Sequence, residues 1–517
     1  MPLQILLHQI QEAFNHKQFE QALQLAESGI TAYPEADSLY FLAAFACTPL
    51  ELPEKALAYQ QHAIKLAPDN AIYHFNAAVY ANNLGGKEME LRGMLHYQRA
   101  LRIDPNYADA LWNYGENLRL NGHIHLAIDC FNRLIALNKI YPKLYNRLAA
   151  CYESINDREK TDALYEQLLQ DKTDVIAAWG YATEQLRREN FAVGWEYYNK
   201  RFECSWLNNA YHYPFALPFW DGQMRPNMTL LLHGEQGLGD EMMFASTFNE
   251  LLQETKAINA KVIIGCKAPV ARLFQTSFPD AEVYIHSYDR PMDISSLTID
   301  AHLPMGNLLA RYRKSHADYK AHQAPYLFAA PQRSNDYAQS IKQLGRESVD
   351  GKRRFRVGLM WSTVANETVS RFVLSASRRS ISAELLAPLA DLVDDVEFIS
   401  LQNAECGSQA ALIPQLEIVD FSLDQADFYD TAALMQNLDL VITIDTSVFH
   451  LAAAMGIETW VALIEHPEWR FGQQERTESY WYGNTRYFRQ SKKDCWSDVI
   501  DHIRDALAKR IRNKPSQ

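Results

Sequence analysis

Two loops in the 517-residue chain bring together residue types that can hold a phosphorylated ligand and move a proton. The first is GEQGLGD, residues 234–240, after the apolar run MTLLLH. Gly234, Gly237 and Gly239 let the backbone approach a ligand and turn N–H groups toward it. Asp240 closes the loop where a helix begins. A carboxylate there is either a helix cap or a base for a reacting hydroxyl. The second loop lies in VITIDTSVFHLAAAMG. A buried-strand pattern ends at Asp445, and Thr446 and Ser447 open a helix. Its N-terminus offers free N–H groups, two hydroxyls and the positive end of the helix dipole, which suits a diphosphate. His450 lies four residues after Thr446 and so shares its side of the helix. The residues leave two readings open, an ordinary cap followed by a core histidine or a phosphate-binding helix start. Arg378 and Arg379, in SASRRSIS, are cations able to neutralise phosphates on the facing loop. Fixed dipoles and cations can do this without a metal, so none is expected.

The glycine loop is not G-x-G-x-x-G. The next strand ends at Cys266-Lys267 rather than at an acid, which argues against a nicotinamide cofactor.

Strands must carry these loops. MTLLLH (228–233), KVIIGC (261–266) and EVYIHS (281–286) read as one series, with a helix from Glu241 and another from His302 to Arg313. RVGLMW (356–361), EFISLQ (397–402), LVITID (440–445) and TWVALI (459–464) read as a second series, closed by an amphipathic helix from Cys495 to Arg512. Alternating strands and helices imply parallel, doubly wound sheets. The polar stretch 331–355 reads as the seam between two Rossmann-like lobes. The expected domains are 228–340 and 341–517, after an aromatic-rich connector at 206–227.

The first 200 or so residues repeat. Ala22, Ala56, Gly93, Ala127, Thr161 and Trp195 fall at spacings of 34, 37, 34, 34 and 34. Ala44, Ala78, Gly115, Ala149 and Thr183 keep the same phase, as do Pro34, Pro68 and Pro105. A period of 34 is that of tetratricopeptide repeats. Five units are expected from Leu3, Asp37, Ala71, Ala108 and Pro142, with a degenerate sixth near Ile176. Region 1–205 is therefore expected to be an α-solenoid whose concave face binds a peptide or protein. Asn76 and Asn113 share one repeat position and are either candidate acceptor-binding residues, clamping a peptide backbone, or simply residues common at that position. His123 and His125 read as exposed turn histidines, since a metal site needs more ligands.

Composition removes several classes. The net charge of −13 gives no global field to attract nucleic acid. No run of about 20 apolar residues exists, so no membrane span is expected. The start of the chain does not read as a secretory signal. Seven cysteines without a C-x-x-C pair fit a reducing cytoplasm and exclude a cysteine-based zinc knuckle.

GEQGLGDEMMFAS, DTAALMQNLDLVITIDTSVFHLAAAMG and the later WRFG and YWYGNTRYFRQ together resemble bacterial glycosyltransferases that carry tetratricopeptide repeats. Their catalytic half is similar to the lipopolysaccharide heptosyltransferases, which have the GT-B fold. The resemblance spans about 1–205 for the repeats and 215–512 for the transferase. It implies transfer of a sugar from a nucleotide-sugar co-substrate, with inversion and without an obligatory metal. It makes 228–340 the acceptor side and 341–517 the nucleotide-sugar side. It implies that Asp240 is the general base and that Asp445, Thr446 and His450 contact the donor. It also implies a basic phosphate-binding residue near Arg378 or Arg379. Relatives often carry a His ahead of an Asp-Arg-x-Arg-Ser run, where this chain reads SRFVLSASRRS. Several repeat-bearing relatives modify flagellin, so a protein acceptor, flagellin among the candidates, is expected. A lipopolysaccharide or glycan transferase and a non-catalytic repeat scaffold are the alternatives.

Overall fold

The computed structural model describes residues 1–204, 216–287, 291–345, 353–363, 378–492 and 495–513. The chain divides into two compact units, Met1–Asp171 and Lys172–Gln517.

The first unit is ten helices in antiparallel pairs: α1 (Leu3–Asn15), α2 (Phe19–Ala32), α3 (Asp37–Cys47), α4 (Pro53–Leu66), α5 (Ala71–Leu84), α6 (Lys87–Ile103), α7 (Ala108–Leu120), α8 (Ile124–Ala136), α9 (Leu144–Ser154) and α10 (Arg158–Leu168). The pairs begin where the 34-residue period places them. The small residues sit where paired helices cross. Ala22, Ala44, Ala56 and Ala127 are all fully buried. A Cβ on Gly115 would stand 2.7 Å from the Phe131 ring, so the aromatic fills the space a side chain would take. Each pair buries only part of its apolar face alone, so stacking completes the core.

The second unit opens with the sixth pair, α11 (Val175–Arg187) and α12 (Phe191–Tyr198). Strands β1 (Thr229–His233), β2 (Lys261–Cys266), β3 (Glu282–Ile285) and β4 (Ala301–Pro304) form one parallel sheet in the order β3-β2-β1-β4. Strands β5 (Phe355–Met360), β6 (Val396–Ser400), β7 (Val419–Asp420), β8 (Leu440–Ile444), β9 (Thr459–Leu463) and β10 (Thr485–Arg489) form a second, in the order β10-β9-β8-β5-β6-β7. All pairings are parallel, and the six-stranded order is that of the doubly wound dinucleotide-binding fold. The central strands β1, β8 and β9 are buried along their whole length, as their unbroken apolar runs require.

Helices α13 (Leu238–Phe244), α14 (Phe248–Lys256), α15 (Ala268–Ser277), α16 (Pro331–Leu344), α17 (Phe428–Met435), α18 (Ser447–Ala454) and α19 (Ser497–Arg512) cover the sheets.

Three expectations are corrected. The segment expected to be helical from His302 begins as β4, and helix follows only after Pro304, as a 3-10 turn at Met305–Leu308 and an α-turn at Leu309–Tyr312. Residues 331–344 are α16, not a polar seam. Its Arg333 pairs with Asp430 at 2.8 Å and its Tyr337 hydroxyl donates to the Asp424 carbonyl at 2.9 Å, so α16 packs on α17. The helix expected from Glu241 starts three residues earlier, at Leu238. Of the connector, 216–227 is described, and Trp220 is buried there. Residues 206–215 and most of the run before Arg378 lie outside the described residues.

Candidate functional site

The two sequence-marked loops meet. GEQGLGD leaves the carboxyl end of β1 and opens α13, and DTS leaves the carboxyl end of β8 and opens α18. Helices α13 and α18 pack directly together. A Cβ on Gly239 would stand 2.7 Å from the His450 ring and 3.3 Å from the Ser447 Cα. The work of Gly239 is therefore to let one helix lie on the other, which corrects its reading as part of a phosphate cradle. Gly237 has an ordinary φ of −90° and is the N-cap of α13. Its N–H donates to Asp240 Oδ2 at 2.8 Å and so faces a carboxylate, not a phosphate. Gly234 lies against the carboxylate of Glu241, which is buried and paired with Lys267 at 2.7 Å.

Of the two roles the sequence left open for Asp240, the geometry displays the cap, together with an ion pair the sequence did not foresee. One oxygen caps α13, and the other is ion-paired with Arg470. The side chains are 15% and 11% exposed. Burial pushes the Asp240 carboxyl up, while the Arg470 charge pulls it back. Burial opposes the charge on Arg470, but Asp240 and Glu468 more than offset this and keep it protonated. Arg470 also pairs with Glu468, and its backbone carbonyl accepts from Trp481 Nε1 at 3.2 Å.

The six-stranded sheet changes winding direction between β5 and β8, the place where open α/β sheets bind ligands. Arg379 spans that gap. Its Nη1 donates to the Asp445 carbonyl at 3.1 Å and lies 3.3 Å from Oδ2. Ile381 N–H donates to the Trp361 carbonyl at 2.7 Å, which anchors the arginine segment over the end of β5. Arg378 lies beside it, half-buried. Burial pushes the Asp445 carboxyl up, with Arg379 acting against this. Thr446 is the N-cap of α18, but its hydroxyl lies 3.3 Å from that of Thr443 and makes no cap bond. His450 is buried and its Nδ1 meets the Tyr482 hydroxyl at 2.9 Å. Burial, aided by Arg470, lowers its pKa to about 3, so it is a neutral core histidine.

Sequence reasoning missed the residues that join the sixth repeat to this site. Arg201 and Glu235 form a two-pronged ion pair, both contacts 2.6 Å and both side chains fully buried. The second Glu235 function is to accept the Gly306 N–H at 2.9 Å, across the gap between β1 and β4. Gln236 donates to the Tyr198 hydroxyl at 2.9 Å, and Arg476 pairs with Glu189. Trp195 and Tyr198 pack on Trp469, with ring centroids 5.7 and 5.8 Å apart. This explains why a tryptophan stands where the other repeats carry a small residue. Trp469 and Trp481 are buried in the same aromatic cluster. The only available signal was the loss of the small residue at position 195.

Asn76 and Asn113 each donate to the carbonyl four residues back on their own helix, at 3.1 and 2.9 Å. His123 and His125 are exposed. Among the described residues no cluster of three or more His, Cys, Asp or Glu is placed to hold a metal. No described helix is long and apolar enough to cross a membrane. All seven cysteines are free thiols.

Comparison with known proteins adds three findings. Residues 37–70 match the tetratricopeptide repeat family model. The chain is 24% identical over 489 residues to protein FlbA of Caulobacter vibrioides, covering 89% of this chain and 76% of that protein. Among solved structures it is similar to a MamA segment from Desulfovibrio magneticus RS-1 (18% identity, TM-score 0.30, 32% of this chain and 93% of that one). It is also similar to YrrB, described as a TPR protein with an unusual peptide-binding site (16% identity, TM-score 0.30, 32% of this chain and 86% of that one). The chain thus joins a solenoid of tetratricopeptide repeats to an α/β region of two parallel sheets.

Proposed function

We propose that the chain is a glycosyltransferase of the heptosyltransferase-like, GT-B type. It moves a sugar from a nucleotide-sugar donor to a hydroxyl of a protein acceptor held by the repeats, flagellin being the first acceptor to try. The observation that carries this reading is the packing of the loop that ends at Asp240 on the start of α18, where Gly239 lies against Ser447 and His450. A buried carboxylate whose basicity burial raises is paired with Arg470 on the α13 side, and Arg379 pairs with Asp445 at the turn that opens α18. That is the combination an inverting transfer needs: a base on one side, and a positive rim for the leaving phosphate on the other.

In the proposed reaction the acceptor hydroxyl gives its proton to Asp240. Its oxygen attacks the anomeric carbon as the bond to the donor phosphate breaks. Arg379, Arg470 and the start of α18 neutralise the departing phosphate. Thr446 and Ser447 contribute hydroxyls there, while His450 shapes the base of the crevice rather than touching the donor. The repeats supply the protein-binding surface, since tetratricopeptide arrays commonly bind peptides.

A thermal-shift screen against UDP-, GDP-, CMP- and ADP-linked sugars tests the donor. Ligand at 100 times its dissociation constant stabilises by about 2.7 kcal/mol. Response to one nucleotide names the donor class. Silence across the panel returns the chain to its alternative, a protein-binding scaffold. With a responding donor in hand, Asp240→Ala tests the base: turnover falls by about 10²–10⁴-fold, and unchanged turnover removes Asp240 from that role.

A further inference from the structure

A general base works best when no cation holds its charge, and both oxygens of Asp240 are already engaged. Oδ2 accepts the Gly237 N–H at 2.8 Å, and Oδ1 holds Arg470. Protonating a carboxylate in this state means giving up an ion pair between two mostly buried side chains, where charge pairing is strong.

Arg470 is built to hold an anion. Its guanidinium lies over the Trp469 ring at 5.0 Å, and Trp481 fixes its backbone carbonyl. Its Nε–H is buried and has no hydrogen-bond partner among the described residues. Its other nitrogens serve Asp240 and Glu468. Glu468 is about half exposed, so Asp240 is the partner that holds the guanidinium inside. A phosphate brings more charge and more acceptor oxygens than a carboxylate, in a geometry that the planar guanidinium matches.

We infer that Arg470 exchanges partners: the donor's phosphate takes it from Asp240, and the exchange frees Asp240 to act as base. This rests on the nucleotide-donor reading above and adds to it a control on when the base becomes available. Without donor, the base is neutralised by its own arginine. With donor, the guanidinium faces the phosphate that will leave. The acceptor proton passes to Asp240, the acceptor oxygen bonds to the anomeric carbon, and the phosphate departs with the electron pair of the broken bond beside Arg470. Donor binding must then precede acceptor activation.

The exchange predicts a counterintuitive binding result. Asp240→Asn keeps an oxygen to accept the Gly237 N–H but has no charge to hold Arg470. The full-length variant is titrated calorimetrically with inorganic pyrophosphate and with UDP, GDP, ADP and CDP, beside wild type, Arg470→Ala and the double variant. Asp240→Asn is expected to bind about tenfold more tightly than wild type, as for loss of one competing charge-assisted bond. Arg470→Ala binds about tenfold more weakly, and adding Asp240→Asn to it restores nothing. Asp240→Ala repeats the test if the asparagine variant melts early. Binding to wild type that is unchanged or weakened in both Asp240 variants overturns the exchange and leaves the donor reading standing. No binding of any probe to any form overturns both.

Discussion

Arg201 of the sixth repeat closes on Glu235 of the β1–α13 loop in a two-pronged ion pair from which solvent is fully excluded. It sits at the gap between β1 and β4, the place where the four-stranded sheet would otherwise offer a crevice of its own. The last repeat is thus structurally part of the α/β unit.

Removing one partner leaves an uncompensated buried charge. Arg201→Ala is expected to destabilise the α/β unit by about 3–5 kcal/mol in urea denaturation. Arg201→Met combined with Glu235→Leu should recover part of the loss, because no charge is stranded. Recovery stays incomplete because the Gly306 N–H loses its acceptor. A loss under 1 kcal/mol for the single variant would show that the pair is not the anchor described.

The boundary for a truncation follows from the same contacts. Deleting 1–171 leaves Trp195, Tyr198 and Arg201 on their partners, so 172–517 should be soluble, melt cooperatively and keep any nucleotide response. Deleting 1–200 strips Trp195 and Tyr198 from Trp469 and Trp481 and should yield aggregated protein. Equal melting of the two fragments would contradict this division.

Gly239 and Gly237 should respond differently to alanine. At Gly239 the new methyl meets a buried ring and backbone, and overpacking of this kind costs about 1–3 kcal/mol. At Gly237 it meets only Asp240 Oδ2 at 3.1 Å, a side chain able to shift. Gly239→Ala should lower the melting temperature and weaken donor binding, while Gly237→Ala stays near wild type. The reverse order would restore the phosphate-cradle reading of the loop.

Acid stability should depend on His450 and His286. Burial, then Arg470, lowers the pKa of His450 to about 3. Burial, then Lys267, lowers that of His286 to about 4. Both therefore stay neutral in the fold, while unfolded histidine takes up a proton near pH 6.5. The unfolded state then binds more protons, so stability falls as pH drops from about 6.5 toward the folded values. The slope is at most about 1.4 kcal/mol per pH unit for each histidine. His450→Asn keeps an acceptor for Tyr482 and should flatten this slope between pH 6.5 and 4 in urea titrations. An unchanged slope would mean that His450 is already charged in the fold.

Local pattern made much of the architecture readable. The 34-residue period placed the repeat pairs because each pair is a self-contained crossing of two helices with a small residue at the contact. Apolar runs marked β1, β2, β8 and β9, since buried parallel strands need apolar residues on both faces. β4 was misread because its four residues, AHLP, are too short to show a period. β10 and α16 were not foreseen. The alternating TRYFR strand is an edge strand, and α16 is polar except for the few residues it buries.

The sequence alone therefore determined where most of the longer segments curl or extend and that two loops bear reactive residue types. Those properties depend on neighbours a few residues apart. Tertiary structure decided what each reactive side chain faces. Asp240 and Arg470 are 230 positions apart, and Glu189 and Arg476 are 287 apart. No period or spacing encodes such pairs. The first exists where α13 packs on α18 at Gly239, the second where the sixth helix pair meets the loop after Trp469, and burial at both leaves each charge dependent on an opposite one.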